Sequence, residues 1–98
     1  MNKIKFYYKK LQDDLKDTEM WINWAFILKE DFLEDAEYFI EEAESRLDKQ
    51  YNSSKEKFIL SYKEDSTLKN FIEETFLEDI IEHHDCLKKW IDSFKNGV

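Results

Sequence analysis

The stretch EDIIEHHDCLKKW, residues 78–90, holds both histidines and the single cysteine of the chain, set among carboxylates. Imidazole, thiolate and carboxylate are the side chains that bind zinc, four at a time in a structural site. On a helix, Asp79, His83 and Cys86 share a face through spacings of four and three, and could offer three ligands with a fourth from another helix. His83 and His84 diverge by about 100° and do not converge on one ion. Cys-x-x-Cys and His-Glu-x-x-His spacings are absent. Ile80 and Ile81 stand where the Glu-x-x-His pair of a di-iron bundle would place its glutamate. His83 also continues a series of apolar residues. The expectation is a histidine on a helix seam, with no metal and no cofactor.

Carboxylates alone can also do chemistry. Glu41-x-x-Glu44 and Glu82-x-x-Asp85 resemble the paired acidic motifs of all-α nucleotide pyrophosphohydrolases of the MazG type. That resemblance covers four residues. It implies two helices that bring the acids together to hold Mg²⁺ against a triphosphate, and hard oxygen ligands suit that ion. Thirty-seven residues separate the two motifs here, more than that family usually has.

A longer acidic series suggests binding rather than catalysis. Glu30, Glu34, Glu37, Glu41, Glu44 and Asp48 recur every three or four residues and so form one face of a helix, roughly 27 Å from first to last. Like charges at these spacings cost about 0.2–0.5 kcal/mol each. Only Arg46 and Lys49 lie nearby to offset them. Glu74, Glu78, Glu82 and Asp85 form a second, shorter stripe. The bland account is a solvated face; the functional one is a docking surface for Lys and Arg of a partner. MWINWAFIL, residues 20–28, raises a similar choice. Ile22, Ala25 and Phe26 can face a core, which leaves Trp21, Trp24 and Leu28 on the neighbouring side. They either complete an aromatic core or anchor an interface, where Trp often carries much of the binding energy.

The elements that must position these residues follow from period. Leu68, Ile72, Phe76, Ile80, His83, Leu87, Trp90 or Ile91, and Phe94 step by three and four, which predicts one long amphipathic helix over 66–95. Asp65, Ser66 and Thr67 can cap its start, and Gly97 sits where a glycine would end it. Phe32, Ala36, Phe39, Ile40, Ala43 and Leu47 predict a helix over 31–50, with Asp31 and Glu34 at capping-box spacing. YNSS, residues 51–54, reads as a turn after it, and Ser53 with Glu56 fits a capping box for a further short helix. Ile4, Tyr8, Leu11, Leu15 and Ile22 keep helical steps, interrupted by Thr18. The fold expected is all-α, a small antiparallel bundle of three or four helices. The alternative is a small α+β domain with strands near 3–9, 20–28 and 57–63, where composition is β-branched and aromatic.

Ninety-eight residues make one domain, 1–98, with a single modest core. There is no Pro, and the only Gly is Gly97, which excludes glycine-rich phosphate cradles and tight hairpins. One Cys forms no intramolecular disulfide. The basic start MNKIKFYYKK lacks the apolar run of a signal peptide, and no stretch is long enough for a membrane span, so a soluble cytoplasmic protein is expected. The net charge is −8, and residues 19–50 hold ten acids against three bases, or −7 of it. Such a field repels nucleic acid and anionic membranes and attracts basic proteins. The character is that of a small non-catalytic inhibitor: an immunity protein or antitoxin-like neutraliser of a nuclease toxin, or a phage-type nucleic-acid mimic. Glu30, Glu34, Glu37, Glu41, Glu44 and Asp48, with Trp21 and Trp24, are the expected contacts for a basic protein partner. A Mg²⁺-dependent pyrophosphohydrolase-like enzyme and a non-catalytic oligomeric scaffold are the other classes; no residue pattern sets the oligomeric state.

Overall fold

A computed structural model describes residues 2–97 as three helical arms. The first is α1, Asn2–Leu28; the second is α2, Leu33–Tyr62. The third runs through α3, Ser66–Ile72, a π-helical segment, Glu73–Leu77, and α4, Glu78–Lys95. The molecule is an all-α antiparallel bundle of three helices, a rod of 52 × 19 × 16 Å. Tyr8 meets Phe58 and Trp21 meets Phe39, so α1 and α2 form one long hairpin. The third arm lies along it, with Phe94 against Phe26 of α1 and Lys95 against Glu44 of α2. No described helix is long and apolar enough to cross a membrane.

The strands considered near 3–9, 20–28 and 57–63 fall instead within α1 and the end of α2. Aromatic content there suggests strand, but burial follows the helical period. Leu11, Leu15, Thr18, Ile22 and Ala25 are all buried at steps of three and four. Thr18 belongs to this stripe because its hydroxyl donates to the Asp14 carbonyl one turn back, at 3.0 Å, and enters the core satisfied.

YNSS is not a turn, and the further short helix expected after it is part of α2, which runs straight through residues 51–54. Leu47, Tyr51, Ser54, Phe58 and Tyr62 continue its buried stripe. Polar composition suggests a break, yet neither Gly nor Pro is present to enforce one. Buried Ser54 donates its hydroxyl to Asp14 Oδ2 of α1 at 2.5 Å, and Asn52 returns its amide to the Asp48 carbonyl. Ser53 and Glu56 are therefore mid-helix residues, not a cap.

The remaining helix ends divide. Asp65 caps α3: one carboxylate oxygen accepts from the Thr67 and Leu68 amides, at 3.1 and 3.2 Å, and from the Thr67 hydroxyl. Those bonds hold its carboxyl below the usual carboxylate range, the Thr67 hydroxyl contributing most. Gly97, with φ of 75°, closes α4, its amide donating to the Phe94 carbonyl. Asp31 does not cap α2. Phe32 occupies that position and has no side-chain cap bond, because the chain leaves α1 through a turn in which the Phe32 amide donates to the Leu28 carbonyl.

The third arm departs from regular spacing at one point. Buried Ile72 is followed by buried Leu77, a step of five. The π-helical turn accommodates that extra residue and resets the stripe for Ile80, Leu87, Ile91 and Phe94. Phe76, expected on the stripe, is displaced toward solvent, where it meets Tyr8 and Phe71 edge-on. Trp90 is exposed, and Ile91 takes the buried position.

Candidate functional site

Both histidines of 78–90 are engaged within the fold. His83 Nε2 lies 3.0 Å from Glu19 Oε1 on α1. The His84 ring stacks on Tyr51 of α2, with centroids 4.1 Å apart, and its Nδ1 lies 3.2 Å from Asp85. Burial, and then the charge of Asp85, pushes the Tyr51 hydroxyl up in pKa. Burial and Asp79 do the same to Tyr8. Cys86 is exposed. Among the described residues no three His, Cys, Asp or Glu side chains are grouped to hold a metal ion.

The acid pairs Glu41/Glu44 and Glu82/Asp85 are not brought together. Glu44 is level with Lys95, whose ammonium it takes at 2.6 Å. Asp85 lies ten residues earlier on α4, about 15 Å away along the axis. A single Mg²⁺ cannot bridge pairs at such different levels, because its ligand distances are about 2.1 Å.

The long acidic stripe is present, with one change. Glu30 lies in the turn between α1 and α2, so Glu34, Glu37, Glu41, Glu44 and Asp48 form the helical part. Glu44 is half-buried and paired with Lys95; the other four are exposed, with no salt bridge to them among the described residues. Arg46 does not relieve them. It extends to the other side of α2, over the Trp21 ring at 5.1 Å, within 3.5 Å of Glu42. Lys29 is drawn to the rings of Phe26 and Phe94. Glu37, Glu41 and Glu44 border an open cleft of about 600 Å³ that also has Ile40 and Phe94 in its lining and the bases Lys29 and Lys95 on its other side.

The tryptophans lie elsewhere. Trp21 packs on Phe39 and Tyr38 of α2, at 5.0 and 6.4 Å between centroids. With Met20, Trp24 and Leu28, these lines of contact form a separate apolar groove of about 410 Å³ whose far wall is Phe39. At 100° per residue, Phe39 is about 140–200° around α2 from Glu37, Glu41, Glu44 and Asp48. The acids and tryptophans grouped as one contact set therefore occupy opposite faces. The sequence alone does not place Phe39 in this groove, nor Tyr38 and Arg46 on Trp21; the pairing of α1 with α2 at this level makes those contacts, and no local spacing encodes it. Phe26 was expected to face the core and is instead at its edge, against Phe94.

Comparison of the chain with protein-family models, with curated proteins and with solved structures found no match.

Proposed function

We propose that this chain is a small acidic binding protein that inhibits a basic protein partner, in the manner of an immunity protein or antitoxin that neutralises a nuclease toxin. The observation that carries the reading is the uncompensated face of α2. Glu34, Glu37, Glu41 and Asp48 stand exposed without a salt bridge among the described residues, while Lys29 and Arg46 are held on aromatic rings and leave Lys49 as the one exposed base beside the stripe. Mixed surface charge would give solubility without that repulsion. The face draws in a basic surface by long-range attraction, and its carboxylates then occupy the cleft that the partner uses for phosphates. The cleft beside Ile40 and Phe94 supplies apolar area at the edge of the contact. No catalytic step is required of this chain.

The test is a titration of the captured basic partner, with inhibition of its nuclease activity as the second readout. The wild type is compared with a triple variant carrying Glu34→Lys, Glu37→Lys and Glu41→Lys. Glu44 is spared because Lys95 depends on it. Association of the wild type should slow steeply with salt, since screening sets in beyond about 8–10 Å near physiological ionic strength. The triple variant should lose binding and inhibition while its circular dichroism is unchanged. Equal affinity of the two proteins removes α2 as the contact face.

A further inference from the structure

We infer that the groove between α1 and α2 seats a cationic amphipathic helix of another protein. This stands apart from the acidic stripe, since the two faces are on opposite sides of α2. The hairpin of α1 and α2 has two long sides, and the third arm covers only one. Phe26 meets Phe94 on the covered side. Trp24, two residues earlier, points about 200° away around α1. Trp24 is 50% exposed and Met20 52%, both at the lip of the groove whose walls are Trp21, Leu28 and Phe39. Trp21 is fixed by Phe39, Tyr38 and the Arg46 guanidinium, so the floor is formed before any ligand arrives. A helix laid there would be the fourth of a bundle, and grooves of this kind take apolar anchors at i, i+3 or i+4, and i+7. Met20 to Leu28 spans about 12 Å, or just over two turns of the occupant.

The rim decides which helix fits. Asp17 lies one turn before Met20 and Trp21 on α1. Asp35 lies one turn before Tyr38 and Phe39 on α2, and Glu42 one turn after them. Two bases lie near these acids: Arg46, held over Trp21 beside Glu42, and exposed Lys16, one turn before Met20. An apolar floor between acidic margins complements a helix with an apolar stripe flanked by Lys and Arg. A second copy is the poorer occupant, because face-to-face pairing would set the same Asp17 and Asp35 margins against each other.

The probe is a synthetic leucine–lysine peptide of about 14 residues with helical apolar period, labelled for fluorescence anisotropy at physiological salt. It is compared with a scrambled peptide of the same composition and with a leucine–glutamate peptide of the same pattern. The leucine–lysine helix should bind at least about tenfold more tightly than the scrambled peptide, and the leucine–glutamate helix should not bind. Joint Met20→Ala and Trp24→Ala, both at exposed positions, should weaken binding about tenfold or more. The triple reversal of Glu34, Glu37 and Glu41 should change it less than about threefold, because those charges lie across the helix. Asp17→Lys with Asp35→Lys should turn the preference toward the leucine–glutamate helix, a gain that misfolding cannot imitate. Equal binding of the scrambled peptide, or equal binding to the Met20/Trp24 variant, overturns the inference. So does a greater loss from the triple reversal, which would mean attraction to the overall charge. Sedimentation showing a wild-type dimer that Met20→Glu splits would assign the groove to a second copy instead.

Discussion

Replacing Ser53 by proline separates the two accounts of residues 51–54. In the structure Ser53 is exposed and mid-helix, nine residues before α2 ends at Tyr62. Its side chain touches no core, so the cost of the change is a backbone cost. Proline removes the amide bond to the carbonyl of Lys49 and drives its ring into that carbonyl, for about 3 kcal/mol or more. Buried Tyr51 and Ser54 flank the site, so any kink also disturbs their packing and makes that figure a lower bound. Stability of a domain this size is about 5–15 kcal/mol, and each 1 kcal/mol moves Tm by about 4–8 °C. Ser53→Pro should therefore lower Tm by about 12–24 °C, read by circular dichroism with urea unfolding alongside. Ser53→Ala, which only improves helix propensity, should be neutral or stabilising by up to about 0.5 kcal/mol. A proline variant within about 0.5 kcal/mol of wild type would refute the continuous helix, since a turn accepts proline readily.

Ser54→Ala should cost about 1.5–3 kcal/mol, because the hydroxyl serves a carboxylate; in an Asp14→Ala background the loss should shrink, as a double-mutant cycle by urea unfolding would show. The Tyr62 hydroxyl is pushed up to about 12 by burial, by its hydrogen bond to Glu73 and by that residue's charge. The folded state therefore holds this proton longer than the unfolded chain does, so the stability it contributes is complete below the ordinary tyrosine value of 10.0 and is lost as pH rises through about 12. Tyr62→Phe should flatten unfolding free energy against pH in that window. Thermal melts with and without chelator should coincide, because His83 and His84 are already engaged by Glu19, Tyr51 and Asp85; a fall of more than a few degrees would show a structural metal.

The legible part of this fold is the part written in period. Leu11, Leu15, Ile22, Ala36, Ile40, Ala43, Leu47, Ile80, Leu87 and Phe94 all lie buried where steps of three and four put them. Asp65 and Gly97 mark the ends they were expected to mark, because cap geometry is local. What was hidden depends on partners distant in sequence. Ser54 looks like a turn residue until Asp14, forty residues away, accepts its hydroxyl. Phe76 looks like core until the π-helical turn hands that place to Leu77. The acids and tryptophans each show in the sequence, but their opposition across α2 emerges only once Phe39 is seen against Trp21.

The rod is about three times longer than it is wide, and residues 19–50, which hold −7 of the −8 charge, fold back on themselves toward the α1–α2 turn. Charge centre and mass centre are therefore displaced from each other along the long axis. An external field exerts torque on such a body as well as pull. In the field of a cationic surface the molecule turns like a compass needle and arrives with the α1–α2 turn foremost. Random orientation is what holds most protein associations far below the diffusion limit, and a particle that aligns in flight has fewer unproductive collisions to make.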